Sequence, residues 1–248
     1  SGGVVQTPWA EGQNVRHLEP LGFIKFDLLG LSTLEMIESA VGHVLKRYHN
    51  IENPTFEDVK KYYDENLHPD KIDLNDEKVY KNIFGKGNFI GVFQFTNDGA
   101  QKFCKRAKPK NIIDISAITS IYRPGPLSAG VDKLYVKAKK SGDTFYHNDI
   151  IEEVTKETHG FLIFQEQIAL LAHKLGDGIT LEEGNKLRKL LTKKGTGKGN
   201  EEKISIRDRF IKGCVSHRMA KKDAEDLWQK FEYFSGYGFN KSHAVSYS

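Results

Sequence analysis

The sequence predicts an α+β fold that is mainly α-helical, with a small β-containing part at the N-terminus followed by a larger set of helices. The first observation is a strand-like apolar run at residues 22–29, which Gly30 ends. The second is that apolar residues then recur at helical spacing, beginning with Leu34, Ile37 and Val41. This order predicts a strand, a tight turn and a helix, and helices for most of the remaining chain.

Two charged residues, Lys25 and Asp27, interrupt the predicted strand. Because side chains alternate across a strand, both leave the same face while the neighbouring Phe and Leu residues point into a core. Charged side chains on an otherwise buried strand cost folding free energy unless they bind a partner, such as a metal ion or a phosphate. The alternative is a Lys–Asp pair on a solvated sheet face, and the pattern alone leaves both interpretations open.

Helix start signals divide the rest of the chain into segments. Polar residues that favour the first position of a helix precede the periodic runs, and the predicted caps are Ser32 or Thr33, Thr55, Asn75 or Asp76, and Asp98. Residues 88–95 are instead rich in β-branched and aromatic side chains, a composition that is more typical of strands than of helices. Further helices are predicted at residues 165–175, from 181, and at about 203–217 and 222–234.

The glycine-rich residues 195–202 are predicted to form a flexible insertion. They contain the run Gly-Thr-Gly-Lys-Gly, which resembles part of a phosphate-binding loop. The run lacks the spacing of that motif, because the loop needs four residues between its glycine and the Gly-Lys pair. A mobile linker is therefore the preferred interpretation.

Composition argues against several classes of protein. No run of about 18 apolar residues is present, so no membrane span is predicted, and the N-terminus lacks the basic-then-apolar pattern of a signal peptide. Cys104 and Cys214 form no CxxC pair and the nine histidines are scattered, which argues against a disulfide framework or a zinc site. A reducing cytoplasm is the expected location.

Positive charge is concentrated in one part of the chain. Residues 184–222 contain thirteen Lys or Arg and three acids, a local charge of +10, so that the remainder carries −6 of the net charge of +4. A basic segment in an otherwise mildly acidic protein is typical of binding to a polyanion. A solvated helix face is the alternative. A second basic stripe, which includes Lys102 and Arg106, is predicted along an earlier helix.

Two further clusters offer candidate ligand groups. Arg123 directly precedes Pro124, which favours an extended backbone, and a guanidinium on a stiff turn suits phosphate binding. Residues 240–243 bring Asn, Lys, Ser and His together behind the rings of Tyr237 and Phe239, a mixture that suits a nucleotide. The alternatives are an arginine that braces a neighbouring helix, and a helix start that the polar residues cap.

Five short segments, taken in order, resemble one protein family. They are IKFDLLGLSTL at 24–34, GVFQF at 91–95, YRPGPL at 122–127, FQEQ at 164–167 and GYGFNKSHA at 236–244. Together they resemble the bacterial C-family replicative DNA polymerases, the alpha subunits of DNA polymerase III. The resemblance implies that residues 1–48 are the C-terminal part of a palm domain and that residues 49–248 form most of a helical fingers domain.

The resemblance also implies roles for individual residues. Asp27 would be a catalytic aspartate and a ligand of Mg2+, in a two-ion site completed by carboxylates outside this chain. The residues implied to bind the incoming nucleotide are Lys25, Arg123, Arg188, Lys189, Asn240, Lys241, Ser242 and His243. Those implied to bind DNA phosphates are Lys193, Lys194, Lys102 and Arg106. Lys189 departs from the family, which usually has an arginine there and hence a bidentate group.

The activity implied is template-directed transfer of nucleotides from dNTPs to the 3′-hydroxyl of a primer annealed to template DNA. The chain has no Asp-x-Asp motif, which holds the other two catalytic aspartates of the family. The resemblance implies that the thumb, the PHP domain and most of the palm lie outside this chain.

We therefore expect a piece of a larger polymerase that is inactive until joined to those parts, with a sliding clamp bound through regions outside this chain. Its expected location is the nucleoid, or the host cytoplasm for a phage. The alternative is a non-catalytic DNA- or nucleotide-binding module derived from the fingers.

Overall fold

The computed structural model of the chain describes residues 21–22, 30–192, 198–235 and 237–248. It divides into two compact units, Ser1–Thr55 and Phe56–Ser248. The described residues form no β-strand, and their β-type pairing is an isolated parallel bridge between Phe164 and Phe239. The predominance of helix confirms the mainly α-helical prediction. The predicted N-terminal strand, with Lys25 and Asp27, lies outside the described residues.

The first unit contains helix α1 (Ser32–Tyr48), which follows the glycine predicted to break the strand. The helix buries Val41 and Leu45, as their spacing predicts. The predicted cap by Ser32 or Thr33 is wrong. The position before the helix is occupied by Leu31, whose apolar side chain makes no capping hydrogen bond.

The second unit is built from helices joined by short connections. In chain order they are α2 (Phe56–Asn66), α3 (Glu77–Val79), a π-helical turn (Tyr80–Gly85), α4 (Asp98–Ala107), α5 (Ile112–Ile121), α6 (Pro124–Ser128), α7 (Val131–Ser141), α8 (Asp149–Thr155), a 3-10 turn (Lys156–Thr158), α9 (Gln165–Leu175), α10 (Leu181–Thr192), α11 (Lys198–Ser216), α12 (Lys221–Ser235) and α13 (Lys241–Ser246). Among the described helices, none has the length and apolar character needed to cross a bilayer.

Two hydrophobic clusters form the core of the second unit. The first joins the π-helical turn, α4, α5 and α7 around Phe103 and Tyr135, and it includes Ala244 of α13. The second joins α8 to α12 around Phe210 and Trp228. Both cysteines are free thiols buried in these clusters, one in each.

The helix starts test the cap predictions. Asp76 caps α3, because its side chain accepts a hydrogen bond from the Lys78 amide at 2.8 Å, which confirms one prediction. The cap of α4 is Asn97 rather than the predicted Asp98, and it accepts from the Gly99 amide at 2.8 Å. Both residue types favour this position, so the sequence did not distinguish the two neighbours.

The predicted flexible insertion at residues 195–202 is partly wrong. Helix α11 already begins at Lys198, so the C-terminal part of that segment is helical, while residues 195–197 lie outside the described residues. Glu202 forms an ion pair with Lys186 of α10 at 2.6 Å, which ties the first turns of α11 to the preceding helix. Helices α9 and α10 begin at the predicted residues.

Candidate functional site

Four separate sequence segments of the second unit meet around Phe239. Its amide donates to the Ile163 carbonyl oxygen at 3.1 Å, and its own carbonyl oxygen accepts from the Gln165 amide at 2.9 Å. These two hydrogen bonds form the isolated bridge and join the 237–244 segment to the start of α9. The 91–95 and 122–127 segments reach the same place through side chains. The structure thus brings together four of the five segments that the sequence singled out.

Arg123 lies between α5 and α6, with an extended backbone (φ −138°, ψ 153°), as expected for a residue before proline. Its side chain is exposed. The guanidinium carbon lies 3.9 Å from the centroid of the Phe239 ring, which is cation–π geometry. Arg123 is therefore held above an aromatic face with its remaining donors towards solvent.

Tyr237 fixes the same turn from the other side. A Cβ built on Gly125 would overlap the Tyr237 ring, so glycine is required where this ring lies against the backbone. The Pro-Gly-Pro turn and Tyr237 are thereby packed directly on one another. This contact orders the turn that carries Arg123 before any ligand binds.

Four rings follow one another beside Arg123. The ring centroids of Phe239 and His243 are 5.2 Å apart, those of His243 and Tyr247 are 4.6 Å apart, and those of Tyr247 and Phe93 are 5.5 Å apart. His243 lies on α13 and Tyr247, four residues later, follows the end of that helix; both are exposed. We call these four residues the ring row. Exposed aromatic faces in succession can stack against nucleobases.

A cleft of about 280 Å³ opens between the ring row and the first core cluster. It is lined by Gln94, Phe95, Ala100, Ile118, Thr119, Tyr122, Arg123 and Phe239. Gln94 has a positive φ of 64°, a backbone conformation uncommon for residues other than glycine, asparagine and aspartate. The cleft combines apolar walls with an arginine, a hydroxyl and an amide, the usual composition of a small-ligand site.

The polar residues at 240–243 are largely engaged inside the protein. Asn240 caps α13, accepting from the His243 amide at 2.8 Å and from the Ser242 hydroxyl at 2.7 Å. Its amide group donates to Glu166 at 2.6 Å, and the Lys241 amide donates to the same carboxylate at 2.9 Å. The helix-capping alternative thus describes Asn240, while the ring of His243 stays exposed.

Lys241 is paired as well. Its ammonium donates to a carboxylate oxygen of Glu157 at 2.6 Å and lies 5.8 Å from the centroid of the Phe164 ring. Both members of this ion pair are about one-third exposed. An anionic ligand that bound Lys241 would have to compete with Glu157.

Much of the basic segment at 184–222 holds helices together. Four of its cations contact an acid on a neighbouring element, and the pairs are Lys186–Glu202 (2.6 Å), Lys203–Glu232 (2.6 Å), Arg209–Glu183 (2.5 Å) and Lys212–Asp177 (2.5 Å). A fifth cation, Arg207, contacts Asp208 of its own helix at 3.4 Å. The hydrogen bond from Arg209, with one from the Thr180 amide, lowers the pKa of Glu183 to about 2. The predicted polyanion surface is therefore smaller than the charge count suggests.

The remaining predicted phosphate ligands of this segment lie on or after α10. Arg188 is half-buried and Lys189 is exposed. Within the described residues, Arg188 has no carboxylate partner and no ring contact with the ring row. Lys193 and Lys194 lie outside the described residues, as do Lys25 and Asp27.

Lys102 and Arg106, on α4, line a second, open cleft of about 600 Å³ together with Lys105, Tyr122 and Asp132. We call it the α4 cleft. Arg106 donates to Asp132 at 3.0 Å, which offsets its charge. Lys102 is exposed. Since Tyr122 also lines the cleft beside Arg123, the two clefts share a wall.

The described residues contain no cluster of three or more His, Cys, Asp or Glu side chains that could hold a metal ion. The predicted Mg2+ ligand, Asp27, lies outside them. The donors that magnesium prefers are thus not assembled in the part of the chain that the structure describes. The two-ion site stays a prediction.

Sequence comparison decides the family. Residues 48–218 match the model of the bacterial DNA polymerase III alpha subunit finger domain. The chain belongs to this family. The finger-domain assignment agrees with the helical second unit, in which the convergent segments meet.

Curated relatives agree with this family. Each is called DNA polymerase III subunit alpha, and the chain is 34% identical to the Campylobacter jejuni protein over 234 residues, 34% to the Aquifex aeolicus protein over 231 residues and 31% to the Bacillus subtilis protein over 239 residues. These matches cover 94%, 93% and 94% of this chain but only 18%, 18% and 19% of the relatives. The chain spans about a fifth of the length of the relatives that it matches.

Sequence reasoning missed the residues that position the site. Glu166 and Glu157 hold the 240–243 segment, and Phe93 and Tyr247 extend the ring row. The spacing of His243 and Tyr247, four residues apart, was a usable signal. Glu166 and Glu157 gave no signal in the sequence, because the residues that they contact are distant along the chain.

Proposed function

We propose that this chain is the finger part of a replicative DNA polymerase and binds the incoming nucleotide and the primer–template for template-directed nucleotidyl transfer. One observation carries the proposal: separate segments converge to place Arg123 beside the ring row, in which His243 and Tyr247 are exposed. Membership of the polymerase III alpha finger family supports it.

The chemistry of this surface suits a nucleotide. The faces of His243 and Tyr247 stack a base without regard to its identity, as a polymerase requires. Arg123 offers planar, always-charged donors for phosphate oxygens, and Phe239 restricts its orientation. Because Glu157 already neutralises Lys241, Arg123 is the stronger candidate for phosphate contact.

The catalytic part of the proposal lies in the N-terminal unit. Asp27 would be one ligand of the metal site, and Lys25, which the sequence pattern predicts to leave the same face, would meet the triphosphate. When bound, Mg2+ would lower the pKa of the primer 3′-hydroxyl and neutralise the departing pyrophosphate. On α10 and after it, Arg188, Lys189, Lys193 and Lys194 would grip phosphates from the finger side.

The whole polymerase would act in the cytoplasm, at the nucleoid, with the remaining palm, the thumb and the PHP domain joined to this chain and a sliding clamp bound elsewhere. By itself the chain would not extend a primer, since it has no Asp-x-Asp motif. A primer-extension assay with the pure chain tests this statement. Template-dependent extension would show it to be wrong.

Binding of a labelled primer–template and of a labelled dNTP to the 248-residue chain tests the site. We expect Arg123→Ala and His243→Ala each to lower affinity at least fivefold. A lost hydrogen bond to a charged phosphate costs about 1.5–3 kcal/mol, and a lost base–aromatic contact costs about 1–3 kcal/mol. Phe145→Ala is the matched control, because it removes an exposed ring outside the ring row. Equal affinities for all three variants and the parent chain would contradict the proposal.

A further inference from the structure

A third cleft, of about 600 Å³, lies between the π-helical turn and the connection from α4 to α5. It is lined by Glu77, Tyr80, Lys81, Gly85, Lys86, Lys108, Pro109 and Lys110. Its four lysines are exposed and face one acid, Glu77. Within the described residues none of the four forms an ion pair. We call this the four-lysine cleft.

Lys105 of the α4 cleft lies beside the four-lysine cleft, because it contacts the residue that follows Lys86. The side chain of Lys105 lies against Gly87, where a Cβ would come within 2.9 Å of its Cδ atom, and φ at this glycine is +84°. Lys105 also lines the α4 cleft beside Lys102 and Tyr122, and Tyr122 continues into the cleft beside Arg123. A continuous basic surface therefore runs from Arg123 along α4 to the π-helical turn. We call it the basic track.

The charge along this track is poorly compensated from within the protein. Asp132 pairs with Arg106, and Glu77 is the acid at the far end, but Lys102 and Lys105 have no carboxylate partner among the described residues. Like charges that share a cleft repel one another at a cost that an anionic ligand removes. An elongated, uncompensated set of lysines fits a polyanion better than a single phosphate.

We propose that the basic track binds the phosphodiester backbone of single-stranded nucleic acid that continues beyond the ring row. A single strand can follow a bent surface, and phosphates along its backbone match lysines distributed over several clefts. The rest of the track has few rings, so its contribution is electrostatic and independent of base sequence. This inference rests on the proposed function only where the basic track meets the ring row. The four-lysine cleft does not depend on the ring row, because its positive charge comes from its own lysines.

The test measures binding of the full 248-residue chain to fluorescent oligothymidylates of about 6 and about 18 nucleotides. Anisotropy titrations are run over roughly 50–300 mM KCl, the range in which counterion release is measurable. The track variant is K81Q/K86Q/K108Q/K110Q. The matched control is K133Q/K137Q/K140Q/K156Q, which removes equal charge from exposed lysines that line none of the three clefts. Circular dichroism checks that each variant is folded.

For the longer oligonucleotide, we expect the track variant to lose at least tenfold in affinity. Its slope of log affinity against log salt should fall by about 2–3, since each phosphate contact in a single strand contributes roughly 0.7. The control should change little in slope. The pairs K81Q/K86Q and K108Q/K110Q should each give about half the effect. For the shorter oligonucleotide, the affinities of the track variant and the parent chain should differ much less.

Equal losses of affinity and slope in the track and control variants would overturn the proposal. Displacement of the longer oligonucleotide by pyrophosphate at an equal phosphate concentration would also overturn it, by assigning a small-anion site. His243→Ala separates the two proposals, because His243 belongs to the ring row and not to the basic track. If His243→Ala leaves oligonucleotide binding unchanged while the track variant loses it, the basic track stands and the ring-row function falls. If His243→Ala loses binding and the track variant does not, the ring-row function stands and the basic track falls.

Discussion

Glu166 and Asn240, 74 positions apart in the sequence, are joined by a hydrogen bond of 2.6 Å between the carboxylate and the side-chain amide. The second oxygen of Glu166 accepts from the Lys241 amide at 2.9 Å. One half-buried carboxylate in the first turn of α9 thus holds both the cap and the first residue of α13. Since α13 carries His243 and ends at Tyr247, Glu166 positions two of the four rings of the ring row.

Replacing Glu166 with Ala should destabilise the protein by about 1–3 kcal/mol, because two hydrogen bonds to a charged acceptor are lost. Glu166→Ala should also lower the affinity for nucleotide and oligonucleotide more than Glu166→Gln does, because glutamine retains one acceptor oxygen. Denaturant unfolding measures the first effect and anisotropy the second. Glu153→Ala is the control, since it removes an exposed ion pair with Lys174 and should change stability by less than about 1 kcal/mol. Equal effects at the two positions would contradict the positioning role.

A buried ion pair joins α5 to α7 in the first core cluster. Asp114 and Lys139 are in contact, with side chains 5% and 8% exposed. Asp114 also accepts from the Lys110 amide at 2.8 Å and from the Tyr135 hydroxyl at 3.2 Å. Removing one member leaves the other charged and buried, so Asp114→Asn should cost about 3–5 kcal/mol. The double variant D114N/K139M should lose less than the sum of the single variants, as denaturant unfolding would show. Strict additivity would mean that the two charges do not interact.

Acid should weaken this ion pair at a defined pH. Burial alone raises the pKa of Asp114, but the neighbouring His159 and Lys139 side chains, together with the hydrogen bond from the Lys110 amide, outweigh it and lower the pKa to about 2, from 3.8. A carboxylate with a depressed folded-state pKa contributes stability that is present above pH 4 and lost as the pH falls towards 2. We expect a loss of about 2 kcal/mol from this group over that interval. Asp114→Asn should lack this part of the acid transition in unfolding experiments at pH 5, 4, 3 and 2. If Asp114→Asn and the parent chain lose stability with falling pH in the same way, the assignment of this transition to Asp114 is wrong.

The regular helices were predictable because their signals are local. Apolar spacing and turn residues indicate where α9 and α10 begin. The carboxylate of Asp76, which caps α3, indicates where that helix begins. Caps failed where the chain offered two equivalent neighbours, as at Asn97, or an apolar residue, as at Leu31. At Asn97 capping chemistry operates one residue earlier than predicted, whereas at Leu31 no side-chain cap forms.

The candidate site was only partly predictable, because it is assembled from distant segments. The motifs indicated that Arg123 and residues 240–243 matter, but no local pattern shows that Arg123 stacks on Phe239. Charge counting failed for a related reason. Three of the acids that neutralise residues 184–222 lie outside that range, at Asp177, Glu183 and Glu232. Net charge in a window does not identify which cations already have partners.

Gly213 allows α11 to approach the end of α9. A Cβ at this position would overlap the carbonyl oxygen of Leu175, which is backbone and cannot rotate away. The Asp177 amide donates to the Arg209 carbonyl oxygen at 3.0 Å in the same contact. Gly213→Ala should therefore destabilise the protein by about 1–3 kcal/mol through overpacking, although alanine favours helix.

Gly199 provides the control in the same helix. Its nearest neighbour for a built Cβ is Leu190 at 3.7 Å, an ordinary contact. Gly199→Ala should be neutral or stabilising by up to about 1 kcal/mol, because alanine loses less backbone entropy on folding. Thermal and denaturant unfolding of both variants measure the difference. If both substitutions stabilise the protein, α11 does not pack as closely on α9 as the structure shows, and the second core cluster would have to relax around residue 213.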